Sequence, residues 1–134
     1  MNIIGMPEGD FLCDGNRTTT SSNPLGFSML LPMVQQYLGA EIRALNDSGY
    51  TIHRVDINEG NVALVYNGGI VGFYHDEVLE VRHDHQGKGL SVPLVLEAVP
   101  YREAPIKRTV SAAGEAALRK AWRVANSLED NPWP

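Results

Sequence analysis

Residues 78–99 read VLEVRHDHQGKGLSVPLVLEAV, and the way the central nine, HDHQGKGLS (83–91), are taken decides the fold. An apolar, strand-like run precedes them and a second apolar run follows, with Gly87 and Gly89 punctuating the passage between the two. The predicted order is strand, glycine turn, helix. Such a turn presents unpaired backbone N–H groups where the helix dipole adds partial positive charge. Its glycines would let a bulky anion approach the backbone, and Lys88 would add a cation nearby. This is the order of a phosphate cradle, and equally that of a plain turn.

Upstream, YTIHRVDI (50–57), NVALVYN (61–67) and IVGFYH (70–75) are rich in β-branched and aromatic residues. Asn67-Gly68-Gly69 is a hairpin signal, because the tight primed turns require positive φ. With a second turn at Asp76-Glu77, residues 50–82 are predicted to form a four-strand antiparallel meander. Before it, Val34, Tyr37, Leu38, Ile42 and Leu45 recur at three- and four-residue steps, which predicts an amphipathic helix from Pro32 that ends at NDSG (46–49).

Residues 1–24, with GNRTTTSSNP at 15–24, are predicted to be a loop-rich arm. Downstream, Pro100 and Pro105 limit PYREAPIKRTVS (100–111) to a short extended piece. Ser111 is a candidate N-cap for a second amphipathic helix bearing Ala117, Leu118, Ala121, Trp122 and Ala125 on one face. These elements predict an α+β domain over 25–130 with a tail at 131–134.

The chain of 134 residues is 43% hydrophobic, the size of one domain that can bury a core without staples. Its single cysteine, Cys13, cannot close an internal disulfide, which fits a reducing cytoplasm. No stretch reaches the roughly 20 apolar residues of a spanning helix, nor does the start resemble a signal peptide. A formal charge of -5 opposes non-specific attraction to nucleic acid and mildly favours a cationic partner such as a polyamine or a lysine side chain.

Gln86-Gly87-Lys88-Gly89-Leu90-Ser91 resembles the [Gln/Arg]-x-x-Gly-x-[Gly/Ala] signature of the GNAT superfamily of acyl-CoA-dependent N-acyltransferases. The context agrees, since in that family the signature follows the fourth strand and opens a helix, after a hairpin that often reads like NGGIVGF (67–73) here. The resemblance covers roughly residues 30–99 and implies a GNAT-like central antiparallel or mixed sheet flanked by helices. It implies further that backbone amides of Gln86, Gly87, Lys88, Gly89, Leu90 and Ser91 hold the pyrophosphate of acetyl-CoA. A backbone N–H at Val81 or Arg82, on a splayed strand, would face the thioester carbonyl. An amine of a small molecule or of a protein would attack the thioester directly, and Glu80, with Glu77 and His83 behind it, would take the proton. Ser91 departs from the preferred Gly or Ala, and Pro93 lies where the helix should be established. No counterpart of the family's later strands and tyrosine acid is evident; Tyr101 is the nearest and comes too early.

Two other readings stand beside this one. His83-Asp84-His85 supplies at most two metal ligands in an extended segment, so no metal site is expected. A GNAT-like domain without turnover, acting as a protein-binding module, would also fit the short chain, and an incomplete sheet would suit a homodimer.

Overall fold

The strand, glycine turn and helix of residues 78–99 are all present in the computed structural model, which describes residues 2–20, 26–75, 78–99 and 108–133. The elements in order are α1 (Glu8–Leu12), β1 (Arg17–Thr20), α2 (Gly26–Gln36), β2 (Leu38–Ala44), β3 (Tyr50–Val55), β4 (Val62–Tyr66), β5 (Gly69–His75), β6 (Val78–Val81), α3 (Ser91–Ala98), β7 (Arg108–Ser111) and α4 (Ala112–Ala125). Strands β2 to β6 form an antiparallel sheet in sequential order. Strands β1 and β7 pair in parallel as a separate two-stranded sheet. The fold is thus α+β, with a five-strand antiparallel sheet flanked by helices.

Both faces of the large sheet are covered, which explains why VALVY and IVGFY are nearly continuous apolar runs rather than alternating ones. On one face Tyr50, Ile52, Leu64, Val71 and Tyr74 share a core with Leu94, Val95 and Ala98 of α3 and with Leu118 and Ala121 of α4. On the other, Val55, Ala63, Ile70 and Phe73 meet Val34, Phe27, Leu30 and Leu31 of α2. Phe27 stacks on Phe73 with ring centroids 5.4 Å apart. At eight residues α3 is too short to persist alone. It is held by burial: Val92, Leu94 and Val95 are fully enclosed, and each such side chain contributes roughly 1.5–3 kcal/mol. Pro93 falls in the first turn, where the missing N–H costs no intrahelical bond, so the helix starts at Ser91 undelayed.

The hairpin at Asn67-Gly68 has positive φ at both positions (49° and 77°), as a type I′ turn requires. The Ser111 cap also forms, its Oγ accepting from Gly114 N at 3.0 Å.

Two segments differ from expectation. The helix predicted from Pro32 to Leu45 is instead α2, beginning at Gly26, followed by strand β2, so the meander has five strands rather than four. Packing of Phe27, Leu30, Leu31 and Val34 on the sheet holds α2 together in spite of Pro32 in its interior. The helical spacing of Leu38 and Ile42 was fortuitous, for both are exposed on β2. Residues 8–20, expected as loop, hold α1, a 3-10 turn and β1. Phe11 and Leu12 are buried in the core, and α4 fastens this segment from above: Trp122 Nε1 donates to Met6 O at 2.8 Å, and Arg119 pairs with Glu8. After α3 the next described element is β7, from Arg108; Tyr101 and the prolines of 100–107 lie outside the described residues.

Candidate functional site

Strand β6 is the outer strand of the large sheet, and its register with β5 fixes where its backbone points. Gly72 faces Val81 and Phe73 faces Glu80, while Arg82 N donates to Val71 O at 2.7 Å. Antiparallel ladders alternate, so Val78, Glu80 and Arg82 bond toward β5 while Leu79 and Val81 turn their N–H and C=O groups to the open edge. The Val81 carbonyl there accepts from Gln86 Nε2 at 2.9 Å. Of the two amides expected to face a thioester, Arg82's is engaged within the sheet and Val81's is turned outward. A bulge in β5, between the Leu64–Gly72 and Val65–Ile70 pairs, bends the sheet beside this edge. Gly72 belongs to that bend: a Cβ on it would come within 3.0 Å of Glu80 O.

The open edge of β6 borders a cleft of about 1010 Å³. Val78, Leu79, Glu80, Val81, Arg82 and His83 line it together with Val110, Ser111, Gly114 and Ala117 of β7 and α4. The loop contributes His85, Gln86, Gly87, Gly89, Leu90 and Ser91; α2 contributes Phe27, Ser28 and Leu31.

In the loop, Gly87 and Gly89 take φ of 79° and 72°, a conformation that strains other residues. No side chain caps α3, so the amides approaching Ser91 are not consumed by a capping group. Gln86 N is engaged, donating to His83 O at 3.3 Å, and Val92 N donates to Gly89 O at 3.3 Å. Among the described residues no hydrogen bond engages the amides from Gly87 to Ser91, while the Gln86 side chain is tied to Val81 O. Leu90 is buried, so only its backbone can take part.

Glu80 is half-buried on the α2 face, and desolvation raises its pKa above the ordinary glutamate value. His83 is exposed at the rim. Glu77 lies outside the described residues. Arg82 forms a bidentate pair with Asp84 at 2.7 and 2.9 Å, and that hydrogen bond holds the Asp84 carboxyl below its usual value.

A polar network behind the loop had no sequence signal, because its members lie far apart in the chain. Arg82 Nη2 sits 3.1 Å from His85 Nε2, and since a guanidinium only donates, that nitrogen accepts. The ring hydrogen then lies on Nδ1, which donates to the Tyr50 hydroxyl at 2.7 Å. Lys88 reaches the same hydroxyl, Nζ to Oη 3.4 Å, and so turns away from the cleft. The tail closes over this side. Trp133 Nε1 donates to Lys88 O at 3.1 Å, its carbonyl accepts from Arg43 Nη2 at 2.8 Å, and Pro132 lies against Gly89.

Among the described residues no three His, Cys, Asp or Glu side chains converge as a metal site would require, and no helix is long and apolar enough to cross a membrane. No family model, curated protein or solved structure matches the chain.

Proposed function

We propose that the protein is an acyl-CoA-dependent N-acyltransferase of GNAT-like fold, most simply an acetyltransferase. One observation carries the reading: the outward-facing amide of Val81, the positive-φ glycine turn and the uncapped start of α3 all border the same cleft, which also holds the half-buried Glu80. Acetyl-CoA would be the substrate that supplies the activated acyl group. The amides of Gly87 to Ser91 would bind its pyrophosphate, with the helix dipole behind them. Val81 N–H would donate to the thioester oxygen as negative charge gathers there, the role of an oxyanion donor. Glu80 would accept a proton from the incoming ammonium, either directly or through water. The free amine then forms the C–N bond as the C–S bond breaks, and the second proton leaves with the thiolate or to water.

Calorimetric titration with acetyl-CoA tests this proposal, with Gly87→Asp as the control variant. A side chain at Gly89 would collide with Pro132, whereas one at Gly87 meets nothing within 4 Å, and aspartate tolerates positive φ. Repulsion of like charges is worth several kcal/mol, so the variant should lose about 100-fold or more in affinity while remaining folded. Failure of the folded wild-type protein to bind would remove the proposal.

A second reading draws on a different surface. Met29, Met33, Tyr37, Leu38 and Ile42 are exposed apolar side chains on α2, β2 and the turn between them, and no charged residue occurs from Gly26 through Ala40. In a chain of charge -5 this is where a second copy would meet least repulsion. A homodimeric or protein-binding module without turnover would use that face. Sedimentation together with thiol release separates the readings: turnover of acetyl-CoA by a monomer at micromolar concentration leaves only the enzyme, and a dimer that releases no thiol leaves only the module.

A further inference from the structure

The two sides of the cleft differ in chemistry. On the loop side are Arg82, His83, His85, Gln86 and the row of amides. The register places Val78 and Glu80 on the same sheet face as Phe73, the face covered by α2. There the described lining is Phe27, Leu31, Ile70 and Val78, with Ser28 as a single hydroxyl and Glu80 as the carboxylate. Phe27 is fixed by its stack on Phe73, so the apolar wall is preformed. Elsewhere in the lining Ala113, Gly114 and Ala117 are small and leave room. Ser111 Oγ already accepts from Gly114 N, which leaves few polar partners there.

An occupant of the α2 side must match one carboxylate and one hydroxyl in an otherwise apolar wall. An ammonium pairs with Glu80, and an apolar body gains by leaving water. A polyamine fits poorly, since its second and third charges would lie against Phe27, Leu31 and Ile70 without partners, a costly desolvation. We infer that the acceptor is a small primary amine with a single cationic centre and an apolar body, held with its nitrogen at Glu80 between α2 and β6. This inference rests on the acyl-transfer reading and names the substrate class of the same site. Whole-chain charge alone would point toward polyamines, so the local lining and the global field disagree, and at contact distance the lining governs.

The step balances: the ammonium gives one proton to Glu80, its nitrogen bonds the acyl carbon, the C–S bond breaks with its electron pair on sulfur, and the remaining extra proton goes to that thiolate or to water.

The test is thiol release from acetyl-CoA by the full chain with 2-phenylethylamine, spermidine or a lysine-containing peptide as acceptor, alongside calorimetric binding of acetyl-CoA. We expect kcat/KM for 2-phenylethylamine to exceed that for spermidine by about tenfold or more, the scale at which apolar pockets discriminate. Val78→Asp, at a position 38% exposed and thus safe for folding, adds a second carboxylate and should narrow that ratio toward spermidine. Acetyl-CoA binding with spermidine or the peptide as the better acceptor overturns the inference and leaves the transferase standing. An unchanged ratio in Val78→Asp overturns the placement at this wall. Neither binding nor thiol release removes the transferase reading and the inference with it.

Discussion

The two edges of the five-stranded sheet are built to opposite ends. Strand β2 is broken twice in its pairing with β3, between Leu38 and Glu41 and again between Glu41 and Arg43. Glu41 and Arg43 add charge to it, and Gly39 passes so close to the Asp56 carboxylate that a Cβ would displace it. Bulges and charges of this kind make an edge a poor template for another strand. Strand β6 is short but pairs with β5 in unbroken register, and its open edge meets a cleft. A regular edge is useful only if something is meant to bond to it. One edge is spoiled for backbone pairing while the other keeps aligned donors at a cavity.

The largest expected effect concerns the carboxylate beside the regular edge. Glu80→Gln should lower turnover by about 10² to 10⁴-fold, the usual span of a general base, and leave acetyl-CoA affinity unchanged. The sign of the pH dependence follows from burial. Desolvation raises the Glu80 pKa, so activity in the wild type should fall as pH drops through a value above the ordinary glutamate range, and that limb should vanish in the variant. Stability moves the other way: the contribution from the raised pKa is present below the unfolded-state pKa and is lost as pH rises through the folded-state one, so the glutamine protein should unfold no more easily at neutral pH. A pH–rate profile together with thermal melts checks both halves; an unaltered acid limb would clear Glu80.

Next in size is Val81→Pro, which deletes the outward N–H and no ladder bond. Proline is tolerated at such edge positions, so the fold should survive while turnover falls by about 10² to 10³-fold, as when one oxyanion donor is removed. Circular dichroism beside steady-state kinetics decides it, and full activity in a folded variant would assign the edge another purpose.

At the spoiled edge the outcome should be structural only. Gly39→Val pushes the exposed Asp56 carboxylate aside, the end of a flexible side chain, and should destabilise the protein by about 1 kcal/mol at most without altering acetyl-CoA affinity. Denaturant unfolding measures the first and calorimetry the second; a coupled loss of affinity would show that the two edges communicate. Of the same small size, Ser111→Ala in the lining of the cleft removes the cap of α4 and should cost about 1 kcal/mol in the same unfolding assay.

Much of the region around the site was legible in the sequence because it is governed by local rules. Asn67-Gly68, the glycines at 87 and 89 and Ser111 each demand a particular backbone, and the strands between them are marked by β-branched residues. What could not be read depends on distance. Tyr50 and His85 meet across 35 positions, and Trp133 reaches Lys88 across 45. The segment from Pro32 to Leu45 misled for a related reason: a helical period in the apolar residues predicted burial on one helix face, but tertiary packing buried Val34 and Leu45 from different elements and left Leu38 and Ile42 in solvent. Glu80 drew attention by its position before the loop, whereas the apolar wall around it became visible only when α2 was laid across the sheet.

The contact between Trp133 and the loop makes the protein its own optical probe. Of its two tryptophans, Trp122 is tied to Met6 on the α4 side and Trp133 hydrogen-bonds the carbonyl between the two loop glycines. With Trp122 replaced by phenylalanine, a single indole reports on the loop, and any anion that settles on those amides must alter its emission without a label ever being attached.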